Sequence, residues 1–302
     1  MNRISQQPLA WQSKAVLLLV LPLTAASVIL EGHWWITQVP VVAWTAIGIS
    51  AIFGLIVWRL RAATPGAAAT GALITASLMF STTNFPYRNS WAHGALLPLL
   101  TVFLLTFAAT KLGKRKKESL GLAEDRKGRN AAQVAANLGM AALSAMGWAT
   151  VGTVLAGGGA LWVGYLGALA ALAEAAADTV SSEIGQVAGG APRLITTLRK
   201  VEPGTDGGIS LIGTLAGTVA AVIVAALGVQ LFFRAPTLSG RWTLTALVAG
   251  AGVIGLLFDS LLGATLERKG WLNNDAVNFL STAASAAMAM AGIVWLVFRI
   301  RI

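Results

Sequence analysis

Residues 160–182 read ALWVGYLGALAALAEAAADTVSS, and this stretch decides the class of fold. It is long enough for a helix to cross the hydrocarbon core of a bilayer, which takes about 20 mostly apolar residues. Two carboxylates, Glu174 and Asp178, nevertheless interrupt it, and Glu183 follows directly. Because an acidic side chain inside a membrane costs roughly 2.5–3.5 kcal/mol on insertion scales, these residues predict a functional site within a membrane helix.

The composition of the whole chain agrees with a membrane location. Of the 302 residues, 56% are hydrophobic and only 11% are charged, and the mean hydropathy is +0.72. A soluble domain carries about 25% charged residues. The chain has no cysteine, which excludes disulfides, thiolate metal sites and cysteine nucleophiles. The sequence therefore predicts an integral membrane protein of the all-α class.

Apolar runs of suitable length predict a bundle of about nine transmembrane helices, forming a single transmembrane domain over residues 1–302. The runs lie near residues 14–31, 40–58, 66–82, 92–110, 131–150, 160–182, 209–232, 243–266 and 276–298.

Basic residues set the predicted orientation. Most of the 22 lysines and arginines lie before the first run or after the second, fourth, sixth and eighth runs. Since cytoplasmic loops carry the basic excess, we expect the N-terminus in the cytoplasm. A basic loop at 111–130 and a Gly-rich loop at 183–208 are then also cytoplasmic, and the membrane is expected to be a bacterial inner membrane. Topology accounts for most of the net charge of +10, so no nucleic-acid partner is expected.

In this orientation the intramembrane acids lie in the cytoplasmic half of the bilayer. Glu174 and Asp178 are four residues apart and share one helix face. Asp259 lies in the eighth run, which descends to the same side. The three carboxylates are therefore expected to face one cavity that opens to the cytoplasm.

Amide side chains extend this pattern. Asn274 and Asn278 share a helix face at the start of the ninth run, beside Asp275, and Gln133 and Asn137 share one in the fifth run. Polar stripes on four runs are thus predicted to face the same cavity, although such amides also often bond neighbouring membrane helices.

The Gly-rich loop after the sixth run favours anion binding. Gly204, Gly207 and Gly208 free its backbone, and Ser210 can cap the following helix, whose N-terminus attracts phosphate. Arg199 and Lys200 add positive charge. Such loops are also ordinary connectors, and the Gly213–Gly217 step is typical of helix packing.

Together these features indicate phosphoryl transfer. Clustered carboxylates suit Mg²⁺, which prefers to be shared with substrate phosphates, and a basic Gly-rich loop can hold those phosphates. Histidine chemistry is not expected, because His33 and His93 both lie in the outer half.

Four segments carry a family resemblance: EAAADTVSSEIG (174–185), PRLITTLRKVEPGTDGGISLIGTLAG (192–217), FDSLLGATLE (258–267) and NNDAVNFLS (273–281). The chain resembles, over roughly residues 50 to 298, the membrane proteins grouped with plant phytyl-phosphate kinase and transmembrane protein 19. The resemblance implies an enzyme that converts an isoprenoid (phytyl or prenyl) monophosphate to the diphosphate with a nucleoside triphosphate, CTP or ATP.

Carried onto this chain, the resemblance and the pattern of charges together assign site residues. The catalytic set is Asp178, Glu183, Asp259 and Asp275. The Mg²⁺ set is Glu174, Asp178, Glu183 and Asp259. The nucleotide set is Arg199, Lys200, Gly204, Thr205, Gly207, Gly208, Asn274 and Asn278. Candidates for the acceptor phosphate are Lys111, Arg129 and Arg193.

Two other functions use similar residues. A cytidylyltransferase acting on a lipid phosphate would use the same acids and metal but release pyrophosphate. A cation-coupled transporter would also place acids inside membrane helices, but it needs polar residues toward both faces, whereas here the outer half is nearly without acids.

Overall fold

In a computed structural model of the protein, the structure is described for residues 9–83, 87, 90–92, 94–122, 128–155, 161–188, 190–233 and 238–300. The helices are α1 (Ala10–Gln38), α2 (Pro40–Arg59), α3 (Pro65–Thr82), α4 (Leu96–Lys111), α5 (Lys114–Ser119), α6 (Ala131–Leu155), α7 (Leu161–Ala188), α8 (Leu211–Phe232), α9 (Leu238–Leu262) and α10 (Asn274–Ile300). A π-helical segment, Gly263–Glu267, extends α9, and β1 (Arg193–Leu194) pairs antiparallel with β2 (Gly208–Ile209).

The predicted class, a polytopic all-α membrane bundle, is confirmed. Within the described residues, six helices are long and apolar enough to cross a membrane, namely α1, α2, α7, α8, α9 and α10. The other three predicted runs coincide with α3, α4 and α6, whose described parts are shorter or less apolar. The number of nine membrane crossings therefore stays a prediction.

Helix α7 forms the centre of the bundle. It packs against α4, α6, α8, α9 and α10, and nearly all of its apolar stretch is buried. A helix that is apolar on all sides has to be buried, and its many alanines let neighbouring helices approach closely. A charged side chain on α7 therefore lies inside the protein rather than against lipid.

Glycines let two neighbours approach α7 at the level of its acids. A Cβ atom on Gly217 of α8 would lie 2.6 Å from the carbonyl oxygen of Ala177, which confirms that the Gly213–Gly217 step packs helices. A Cβ atom on Gly255 of α9 would lie 2.6 Å from Cγ of Glu174. The absence of a side chain at Gly255 therefore leaves the space that Glu174 occupies.

Candidate functional site

A polar cavity of about 240 Å³ lies between α7, α9, α10 and the loop that carries β1 and β2. We call it the polar pocket. Its lining includes the carboxylates of Asp178, Asp206, Asp259 and Glu267 and the amides of Asn274 and Asn278. The structure thus brings together side chains from α7, α9 and α10 that are up to 100 positions apart in the sequence.

The acids of the polar pocket lie on facing helices. Asp178 of α7 and Asp259 of α9 are near enough for their charges to interact, and Ser281 Oγ of α10 donates a hydrogen bond of 3.2 Å to Asp259. Glu174, which was expected to face the same cavity, lies one turn deeper on α7 and outside the pocket lining; it is 1% exposed, and its Oε1 has no hydrogen-bond partner among the described residues. Two like charges and an unsatisfied oxygen favour a site that takes up positive charge.

The Gly-rich loop forms one wall of the pocket, and its glycines have a packing role that the sequence did not indicate. Gly207 has φ +74°, and a Cβ atom there would lie 2.4 Å from the backbone nitrogen of Ala264. The Gly208 amide donates to the Thr205 carbonyl oxygen at 2.9 Å. Gly207 therefore lets the loop pack on the π-helical segment, while the Gly208 amide belongs to a turn rather than pointing at a ligand.

The N-terminus of α8 opens onto the same pocket. Ser210 lines the pocket and caps α8, since its Oγ accepts a hydrogen bond of 3.1 Å from the Gly213 amide. A capped helix N-terminus presents positive partial charge, which suits phosphate. Gly204 and Thr205 line the wall beside it.

Glu183 lies apart from the other acids. Its carboxylate contacts Lys117 Nζ at 2.5 Å and accepts from Thr110 Oγ1 at 3.0 Å. At about 100° per residue, Glu183 points roughly 140° away from Asp178 around α7, toward α4. The family resemblance and the pattern of charges assigned Glu183 to the catalytic and metal sets, but in the structure it is the partner of a buried lysine.

The carboxylates present fit Mg²⁺ only in part. The oxygen donors of Asp178, Asp259 and Glu267 suit a hard cation. Among the described residues, however, no three acidic, histidine or cysteine side chains are close enough to form a protein cage for a metal. The arrangement fits an ion that is held by one or two carboxylates and completed by substrate phosphates, as Mg²⁺ usually is.

Several residues assigned to the site from the sequence lie outside the pocket lining. Asp275 accepts a hydrogen bond of 2.6 Å from Ser13, which ties α1 to the start of α10. Arg193, Arg199 and Lys200 are exposed on the β1–β2 loop, where Arg193 donates to the Leu198 carbonyl oxygen at 2.8 Å.

The predicted stripe on α6 does not face the polar pocket. Gln133 and Asn130 cap the start of α6 together, because Gln133 Oε1 accepts from the backbone N–H of Asn130 at 2.8 Å and the backbone N–H of Gln133 donates to Asn130 Oδ1 at 3.0 Å. Asn137 faces a different cavity. His33 is exposed on α1, and His93 lies outside the described residues.

That other cavity measures about 90 Å³ and lies among α2, α3, α4 and α6. We call it the apolar groove. Its walls include Phe53, Gly71, Leu99, Phe103 and Phe107, and its charged end is formed by Thr110, Lys111, Arg129 and Asn137. The groove was not predicted from the sequence, although Leu99, Phe103, Phe107 and Lys111 recur every four residues along α4.

Arg129 lies at the border between the two cavities. It lines the apolar groove, donates to Thr179 Oγ1 at 3.2 Å and interacts electrostatically with Asp178. Its backbone is fixed on the α2–α3 connection, since its amide donates to the Ala62 carbonyl oxygen and its carbonyl accepts from the Thr64 amide. Ala175 of the groove and Asp178 of the pocket are only about 60° apart around α7, so the cavities adjoin.

The fold and the site define a polytopic membrane protein with an acidic pocket next to a cation-ended apolar groove. The chain belongs to the family of integral membrane proteins DUF92, whose model matches residues 48–286.

Relatives occur in archaea and plants. An uncharacterised membrane protein of Methanocaldococcus jannaschii is 38% identical over 187 residues, which cover 62% of this chain and 71% of the relative. The chloroplastic protein VTE6 of Arabidopsis thaliana is 32% identical over 213 residues, which cover 67% of this chain and 59% of VTE6. Protein PGR of the same plant is 33% identical over 207 residues, 61% of this chain and 68% of PGR. No solved structure matches the chain.

Proposed function

We propose that the protein is a kinase that transfers a phosphoryl group from a nucleoside triphosphate to an isoprenoid monophosphate. The observation that carries this proposal is the contact between two unlike cavities, an acidic pocket and a cation-ended apolar groove, with Arg129 at their border. The similarity to VTE6, in a family that the sequence motifs link to phytyl-phosphate kinase, supports the same chemistry.

The polar pocket is the proposed donor site. Asp178 and Asp259 would hold Mg²⁺ together with the nucleotide phosphates, and the bound ion would neutralise charge on the transferred group. The N-terminus of α8, capped by Ser210, would bind a phosphate oxygen. The wall at Gly207 would fix the loop against which the nucleotide lies.

The apolar groove is the proposed acceptor site. Lys111 and Arg129 at its charged end would bind the acceptor phosphate. A phosphate monoester is mostly dianionic at neutral pH, so its oxygen is a nucleophile without a strong general base. That oxygen forms a new bond to the γ-phosphorus, the bond from the γ-phosphorus to the bridging oxygen breaks, and a nucleoside diphosphate leaves.

The test is which part of the nucleotide reaches the lipid. Purified protein in vesicles receives geranylgeranyl monophosphate, Mg²⁺, and CTP or ATP labelled on either the α- or the γ-phosphate. We expect γ-label on the extracted lipid diphosphate, and none with Asp178→Asn protein. Transfer of α-label would identify a cytidylyltransferase instead, and an unlabelled lipid with every nucleotide would contradict both transferases.

A second experiment tests the proposed orientation, with the site facing the cytoplasm. The chain contains no cysteine, so single cysteines report directly on sidedness. Ser119→Cys on α5 and Thr197→Cys on the β1–β2 loop, both exposed, should resist an impermeant thiol reagent in intact cells. Thr37→Cys is exposed near the C-terminal end of α1, on the side expected to be outside, and should react with the reagent. The reverse pattern would contradict the orientation.

A further inference from the structure

One face of α4 runs from a charged group into the apolar groove. Lys111, Phe107, Phe103 and Leu99 are spaced four residues apart and all line the groove, so they form one slanting line that turns about 120° around α4. The Lys111 Nζ lies 5.2 Å from the centroid of the Phe107 ring, which fixes the cation at the end of this line. At 1.5 Å per residue, the line from Lys111 to Leu99 extends about 18 Å.

Two aromatic rings narrow the groove part of the way along this line. Phe53 of α2 and Phe103 of α4 meet edge to face with centroids 5.4 Å apart, and Phe103 stacks on Phe107 at 5.6 Å. Phe53 is buried, so this contact lies inside the protein. Because the rings come from opposing helices, the walls of the groove touch here, about 12 Å from the level of Lys111.

We propose that the apolar groove binds the hydrocarbon tail of the acceptor as a single linear chain, and that Phe53 and Phe103 set the length of chain that is accepted. The identity of the head group rests on the proposed function. The occupant follows from charge complementarity, since Lys111 and Arg129 at one end of an apolar cavity fit a phosphate monoester on an apolar tail.

Two substitutions change the length of the groove in opposite directions. Phe103→Ala removes one of the two rings that narrow it and extends the space available to a tail. Gly71→Leu fills the space, because a Cβ atom at Gly71 would meet only Val134 Cγ1 at 3.9 Å, an ordinary contact. The matched control is Gly48→Leu on α2, where a Cβ atom would meet nothing within 4 Å and which lies outside the groove lining.

The experiment measures binding of geranyl, farnesyl and geranylgeranyl monophosphate to the full chain in lipid nanodiscs, without nucleotide or Mg²⁺. Burial of one isoprene unit contributes strongly to binding. We therefore expect Phe103→Ala to raise the ratio of the affinity for the longest chain to the affinity for the shortest chain about tenfold. Gly71→Leu should weaken binding of the longest chain by about tenfold, and Gly48→Leu should leave the order unchanged.

Other results would overturn the inference. These are an unchanged order of chain lengths in both groove variants, an equal loss for all three chains in a folded variant, or equally effective competition by phosphatidic acid. Thermal unfolding in detergent monitors folding, and Phe103→Leu and Gly71→Ala serve as milder variants with the same expected directions.

The outcome is separable from that of the proposed function, because no phosphoryl transfer is needed for the measurement. Altered chain-length binding in a protein that transfers no phosphate would remove the kinase proposal and leave the tail site. Transfer of γ-phosphate with an unaltered chain preference in both variants would leave the kinase proposal and remove the tail site.

Discussion

The polar pocket and the apolar groove adjoin on α7 but differ in how the chain builds them. The polar pocket takes its walls from α7, the β1–β2 loop, α9 and α10, all in the C-terminal half of the sequence. The groove takes its walls from α2, α3, α4 and α6, in the N-terminal half. The proposed donor and acceptor sites are therefore separate parts of the chain that share one buried helix, and we expect variants in one to leave binding at the other intact.

The largest expected effect is that of Asp178→Asn, which keeps the shape of the side chain and removes its charge. If this charge helps to hold Mg²⁺ and the nucleotide phosphates, kcat should fall about a thousandfold, as for the loss of a central electrostatic group. Mg²⁺-dependent nucleotide binding should be lost, whereas binding of prenyl monophosphate should not weaken. Glu118→Gln, an exposed position of α5, is the control, and near-normal turnover of Asp178→Asn would refute the donor-site assignment.

Glu183→Gln should behave in the opposite way, since Glu183 pairs with Lys117 rather than lining the pocket. The lysine side chain is 2% exposed, and it also donates to the carbonyl oxygens of Ala109 and Thr110 at the end of α4. Leaving this charge without its carboxylate should reduce stability by about 3 kcal/mol. Thermal unfolding in detergent measures the loss, and kcat of the folded fraction should be retained. A stable but inactive Glu183→Gln protein would return Glu183 to the metal set.

Arg129→Gln tests the border between the cavities. A charge-assisted hydrogen bond contributes about 1.5–3 kcal/mol, so binding of prenyl monophosphate should weaken roughly 10–100-fold while nucleotide binding persists. The backbone bonds of Arg129 to Ala62 and Thr64 do not involve the side chain, so the fold should be retained. Arg268→Gln, exposed after α9, is the control for a general loss of positive charge. Equal losses in both variants would indicate a non-specific effect of charge.

Gly207→Ala has the smallest expected effect on activity and tests whether the Gly-rich loop shapes the polar pocket. A residue held at an unfavourable φ costs about 1–3 kcal/mol, and here the new Cβ atom would also collide with Ala264. Gly190 has a similar φ of +66° but nothing within 4 Å of such an atom, so Gly190→Ala carries the backbone strain alone. We expect a higher KM for the nucleotide only in Gly207→Ala. Equal KM values in both variants would show that the loop does not shape the pocket.

Part of the site could be read from the sequence because helical spacing is local. Asp178 and Asp259 were assigned correctly to one cavity from their positions near the same ends of two helices, and Asn274 and Asn278 from their spacing. Glu183 was grouped with them through the family's acidic motif, but about 140° of helix rotation separates it from Asp178 and it pairs with Lys117, so its role at the metal stays a prediction. The groove was missed because four helices create it, and no one of them shows more than an apolar face.

The sequence by itself determined that this is a helical membrane protein with acids near one end of its sixth apolar run. Length, hydropathy and the cost of a buried carboxylate are properties of single segments, so they can be summed along the chain. Only the tertiary structure decided which polar groups face each other. Ser13 reaches Asp275 and Lys117 reaches Glu183 across 262 and 66 positions, and Gly255 makes room for Glu174. Such pairings depend on how helices rotate and pack, because the same face of a helix can meet a cavity, a cation or another backbone.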